Sequence, residues 1–191
     1  MISRELILKQ LAQKIEMPLE SMYSARFNLK IITLLKGDVF VNAGQHSDEV
    51  GLLIEGILRK FSLSNEGLEV TTDLVFPGNF AASYADQLSN IPSQHTIEAL
   101  EKSTVAVLSF AELRELVIND PAWTMAGLKI AESLFLKKAE RELVLMTMSA
   151  KERLDNFIEK NPVKWKLVPK NVIASFLGIN PSTLSRSMAK N

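Results

Sequence analysis

Cysteine is absent from this chain of 191 residues. That excludes a thiol nucleophile, a cysteine-ligated zinc site and a cysteine-held iron–sulfur cluster, because each needs a thiolate. Histidine is nearly as scarce, with two in all. The chain offers no Ser–His–Asp set, metal-ligand cluster, P-loop or paired catalytic carboxylates, so no enzymatic activity is expected. No apolar run approaches the ~20 residues that a membrane-spanning helix needs. The opening MISRELILKQLAQKIEM places charged and apolar residues at helical spacing, unlike a signal or transit peptide. A cytoplasmic location without a membrane partner is therefore expected.

Charge of one sign is also lacking overall: 22 Lys and Arg balance 22 Asp and Glu. The balance hides an asymmetry. Residues 149–191 hold eight basic side chains against three acidic ones, a net +5, which leaves −5 on residues 1–148. A basic tail on an acidic body is the charge pattern of a nucleic-acid contact at one end, although chance surface composition can also produce it.

What is present divides into three textures. Residues 2–16 have apolar side chains near every fourth position and predict an amphipathic helix, with Pro18 opening a second short one. From Leu29 to Ser109 the chain breaks into short β-branched and aliphatic runs separated by Gly, Asn and Asp. These runs predict an antiparallel barrel or sandwich, with a hairpin at Ser64–Gly67. Residues 110–120 predict a short helix. From Pro121 a long helix runs to about Met148, and Thr124, Leu128, Ala131, Phe135 and Met146 follow a four-three spacing along one stripe. That stripe suits either a dimerising coiled coil or packing on the body. Ser149 and Glu152 have the spacing of a capping box for a helix over 149–160.

The most informative string is KNVIASFLGINPSTLSRSMA, 170–189. A helix-turn-helix needs a small residue where its helices cross, a Gly in the turn, and apolar residues locking the pair. Ala174, Gly178 and Leu184 stand at that spacing, with Ile173, Leu177 and Ile179 beside them. Asn180 is an N-cap and Pro181 a first helical residue. The exposed face of the second helix would carry Ser182, Thr183, Ser185 and Arg186. Arg186 is the best single candidate for guanine, with Pro181 at the leading end and Lys170 and Lys190 placed for phosphates. An αα-hairpin that merely packs on the body is the competing reading.

With those residues in view, the sequence resembles the CRP/FNR family of transcription regulators over essentially its whole length. LLKGDVFVNAG (34–44), GLLIEGILRKF (51–61), FPGNFAASY (76–84), IEALEKSTVAVLS (97–109), the long helix and ASFLGINPSTLSR carry the resemblance. It implies an α+β fold: an antiparallel β-roll (double-stranded β-helix or jelly-roll type) as sensor domain over 1–120, a dimerisation helix over 121–148, and a small all-α helix-turn-helix domain over 149–191. It further implies a homodimer on double-stranded DNA, a small-molecule effector, and RNA polymerase as a candidate further partner.

Two departures qualify the resemblance. Cyclic-nucleotide binders of the family carry a phosphate cassette after the glycine matching Gly78, with a Glu for the ribose and an Arg–Ser pair for the phosphate. Ser83 stands for the Glu, and Gln94 with His95 for the pair. A Gln amide brings no charge to a buried phosphate, so cyclic AMP is not expected and no cofactor is assigned. Gly78, Ser83, Tyr84, Gln94 and His95 remain the candidate effector pocket. A β-hairpin wing beyond the second helix is also expected to be missing. The alternative is therefore a sensor or protein-interaction module whose degenerate helix-turn-helix no longer grips DNA.

Overall fold

A computed structural model describes residues 3–188. Ser3 opens the first helix, α1 (Arg4–Lys14), its hydroxyl accepting from the Leu6 amide; α2 (Leu19–Ser24) follows Pro18. Eight strands then form two four-stranded antiparallel sheets. The first sheet orders β1 (Lys30–Leu34), β8 (Ser103–Ser109), β3 (Glu49–Glu55) and β6 (Phe80–Ala81). The second orders β2 (Val39–Val41), β7 (Thr96–Ala99), β4 (Leu58–Leu63) and β5 (Glu69–Val75). This is the expected β-roll. The Ser64–Gly67 turn joins β4 to β5, closed by Gly67 N–H donating to Ser64 O at 2.9 Å.

The two sheets meet over an apolar core containing Leu53, Leu58, Ile97 and Val105, each at most 1% exposed. There Gly51 lies so close to its neighbours that an added Cβ would stand 2.6 Å from Val105 Cγ1. A second core joins the first sheet to the helices. Ile7, Leu11, Met22 and Phe27 pack with Trp123, whose indole meets Phe27 edge-on at 5.6 Å.

Two short helices go beyond the sequence reading: α3 (Tyr84–Ser89), inside the segment following β6, and a 3-10 turn at Lys164–Leu167. Neither has enough residues to show a helical period. Then come α4 (Phe110–Asn119) and α5 (Pro121–Thr147), a helix of 27 residues capped by the Asp120 carboxylate. The tail comprises α6 (Ala150–Lys160), α7 (Lys170–Leu177) and α8 (Pro181–Met188). The Ser149–Glu152 capping box forms at the start of α6 as its spacing predicts. Among the described residues, no helix is long and apolar enough to cross a membrane.

The tail is not a free appendage. Its core of Leu154, Ile173, Ala174, Leu177 and Leu184 is continuous with Ile57, Leu74 and Phe76 of the roll. Ser175 bridges to the edge strand β5. Its hydroxyl accepts from Thr71 N at 2.8 Å and donates to Glu69 O at 3.2 Å. Arg141 of α5 donates to Phe176 O at 2.9 Å and lies 4.1 Å from the centre of the Phe176 ring.

Candidate functional site

The tail forms a helix-turn-helix from purely local causes. Gly178 ends α7 at φ +61°, in the left-handed region where a Cβ is penalised. The Ile179 amide donates back to Ala174 O at 3.0 Å, which closes the turn. The Asn180 side chain accepts from the Ser182 amide at 3.0 Å, fixing the start of α8 with Pro181 in its first position. Ala174, which is fully buried, and Leu184 at 1% exposure lock the two helices together.

Packing Leu184 inward turns the opposite face of α8 outward. Pro181, Ser182, Ser185 and Arg186 are exposed, and Thr183 is partly so. Arg186 folds back along the helix, donating from Nε to Ser182 O at 3.3 Å. Lys170 is exposed at the start of α7. Lys190 lies outside the described residues. The face offers hydroxyls and a guanidinium, which can donate to base edges, with a cation nearby for a phosphate.

The second candidate region begins where β6 ends. Ser83 is 1% exposed, and its hydroxyl faces the Asp86 carboxylate and the Ser93 hydroxyl. Asp86 also accepts from the Gln94 amide at 3.1 Å, and Ser93 donates to His95 O at 2.7 Å. The segment where a phosphate cassette would lie is thus satisfied by its own hydrogen bonds. Gly78 lies away from it, in a shallow depression beside Gln10 and Lys14.

Tyr84 and His95 instead line a cavity of about 430 Å³ between the roll, α4 and α5, while Ser83 and Gln94 do not line it. His95 Nδ1 meets the Ser62 hydroxyl at 2.6 Å. Burial, and then the Lys60 ammonium, hold its imidazole below the ordinary value near 6.5. His46 is exposed in the loop before β3. Among the described residues no cluster of metal-ligating side chains occurs.

Several residues that shape these regions carry no local signal. Lys60 and Lys138 line the cavity, Asp86 organises the β6–β7 segment, and Arg141 and Ser175 hold the tail to the roll. Lys60, Lys138, Arg141 and Ser175 meet partners or neighbours far away in sequence, and Asp86, whose partners Ser83 and Gln94 are near, sits in a segment too short to show a period.

The third region is the outer stripe of α5. Leu128, Phe135, Leu143 and Met146 are 51%, 70%, 61% and 78% exposed. So much apolar surface on one helix face is the mark of an interaction site.

A model of the cyclic nucleotide-binding domain matches residues 31–120. The chain is 23% identical over 166 residues to an anaerobic regulatory protein of Haemophilus influenzae, covering 81% of this chain and 64% of the relative. It is 24% identical over 164 residues to the transcriptional activator protein Anr of Pseudomonas protegens, covering 80% of this chain and 66% of the relative. The chain thus matches slightly less than two thirds of each relative's length. Among solved structures it resembles FixK2 of Bradyrhizobium japonicum, with a TM-score of 0.67, 17% identity, and coverage of 85% of this chain and 84% of that one. That likeness establishes the fold.

Proposed function

We propose, from the premise that the chain is of the CRP/FNR type, that it is a DNA-binding transcription regulator and not an enzyme. It acts in the cytoplasm as a homodimer that reads two related half-sites. The carrying observation is α8: Leu184 is packed inward, while Ser182, Ser185 and Arg186 stand exposed on a helix entered through a Gly178 turn. In this reading Ser182, Thr183, Ser185 and Arg186 approach base edges from the N-terminal part of the helix, and Lys170 touches phosphate. Lys190 is proposed for phosphate on sequence grounds alone.

The exposed stripe of α5 supports pairing with a second copy, since a twofold pair must place its reading helices about one DNA turn, ~34 Å, apart. Segments 1–120, 121–148 and 149–191 then serve as sensor, coupling helix and reading head. Arg141 links α5 to α7 directly, so a shift in α5 reaches the reading head without an intermediary. Cyclic AMP does not suit a cassette in which Ser83 is already bonded to Asp86 and Ser93 and the Gln94 side chain brings no charge. RNA polymerase is the proposed further partner of an activating form.

A gel-shift titration with genomic fragments tests the reading. Retarded fragments that are released as salt rises are expected, because each phosphate contact displaces counterions. Absence of any shift at low salt would overturn it.

A further inference from the structure

The cavity between the roll and α5 is apolar on most of its walls and charged at one end. Leu113, Val117, Trp123 and Ile130 line the apolar part. Around the other end stand Lys60, Lys138 and His95, close enough for the two lysines to depress the imidazole together. Asp73 also lines the cavity, but both of its oxygens bind Lys137 at 2.9 Å. Arg114 adds a further cation on the wall formed by α4.

Lys60 is the unusual member. It is drawn out of water on a central strand, and its ammonium reaches only the Ala82 carbonyl, at 3.3 Å. Neither Lys60 nor Lys138 has an ion-pair partner among the described residues. Asp73 and Asp86 lie near Lys60 but neither pairs with it, so the ammonium is only partly compensated, and an anion placed beside it recovers part of the desolvation cost.

We propose that this cavity binds an amphiphilic carboxylate, its apolar body along the Leu113–Ile130 walls and its carboxylate between Lys60 and Lys138. The volume of about 430 Å³ lies within the roughly 300–1,000 Å³ of small-molecule sites. A cyclic nucleotide fits the chemistry less well, because with its phosphate between the lysines its sugar and base would set polar groups against apolar walls. The binding site stands independently of the DNA-binding reading; only its role as effector site rests on that reading.

The full-length chain carrying Trp165→Phe leaves Trp123 as the sole indole, so its fluorescence reports occupancy. Laurate, dodecanol and dodecyltrimethylammonium serve as probes below their micellar concentrations. Saturable laurate binding at least tenfold tighter than that of dodecanol is expected, with the cationic probe weakest. Lys60→Met and Lys138→Met should each weaken laurate about tenfold and leave dodecanol unchanged. Lys138 is exposed on α5, so its substitution tests the idea without threatening the fold. Laurate binding no tighter than dodecanol, insensitivity to both substitutions, or no saturable binding would overturn the inference. A gel shift on the same preparation separates the outcomes: DNA binding that persists without laurate binding sinks this inference alone.

Discussion

The reading head and the cavity are built from opposite materials. On α8 the useful groups are hydroxyls and a guanidinium held out in water by one buried leucine, Leu184. In the cavity the useful charge, Lys60, is half-buried at the charged end of a space whose other walls are apolar. The first arrangement suits a polyanion approached from solvent, with affinity that salt screens. The second suits a small ligand that brings its own apolar body and one charge, with affinity governed by desolvation. The two arrangements suit partners whose chemistries do not compete. The helix α5 touches both regions, lining the cavity through Trp123 and Ile130 and holding α7 through Arg141.

Leu184→Ala should destabilise the tail by about 2–5 kcal/mol, the cost of truncating a large buried side chain. Denaturant unfolding followed by tail and roll probes should show both transitions shifting together, because the tail core continues into Ile57, Leu74 and Phe76 of the roll. A tail transition that moves alone would mean that the two regions unfold separately despite that contact.

Arg186→Ala should remove about 1–3 kcal/mol of discrimination at one base position. Competition binding on a selected site and its single-base variants reads this directly. Laurate affinity should not change, because Arg186 lies outside the cavity. A uniform loss on every sequence would instead make Arg186 a phosphate contact.

Gly178→Ala should cost about 1–2 kcal/mol by forcing a Cβ into the left-handed turn. Space is not the issue there, since an added Cβ would have Arg153 Nη1 at 3.4 Å as its nearest neighbour. Thermal unfolding of the variant, alongside circular dichroism to show that α7 and α8 persist, measures the strain alone.

The smallest expected effect concerns pH. Burial and Lys60, with Lys138 in support and Asp86 opposing, keep the folded His95 imidazole below 6.5. Protonation therefore favours the unfolded chain. Stability should be full above pH 6.5, fall as pH drops from there toward the lower folded value, and then level off. His95→Gln should flatten that part of the stability–pH profile. An unchanged slope would assign it to another group.

The two regions also differed in how much of them could be read from residues alone. The reading head depends on spacings within 20 residues. A small residue, a glycine four later and a leucine ten after the first dictate the turn whatever surrounds them, and Ala174, Gly178 and Leu184 do so here. The strands of the roll were equally legible as short β-branched and aliphatic runs between Gly, Asn and Asp turns, because both signals are local. The cavity was not. Lys60 and Lys138 stand 78 positions apart in sequence, and what brings them together is sheet register and the path of α5. Tyr84 and His95 were picked out from the family pattern and do line the cavity, whereas Ser83 and Gln94 turn into the hydrogen bonds around Asp86. That closure depends on α3, which is too short to announce itself.

Whether two copies of this chain read one duplex can be measured by sedimentation of the purified chain with a DNA fragment selected from a random pool. At ~50 mM salt the account predicts a complex of two chains per duplex that dissociates as salt is raised. Chain and DNA sedimenting separately at every salt concentration, with the chain monomeric at micromolar concentration, would contradict it.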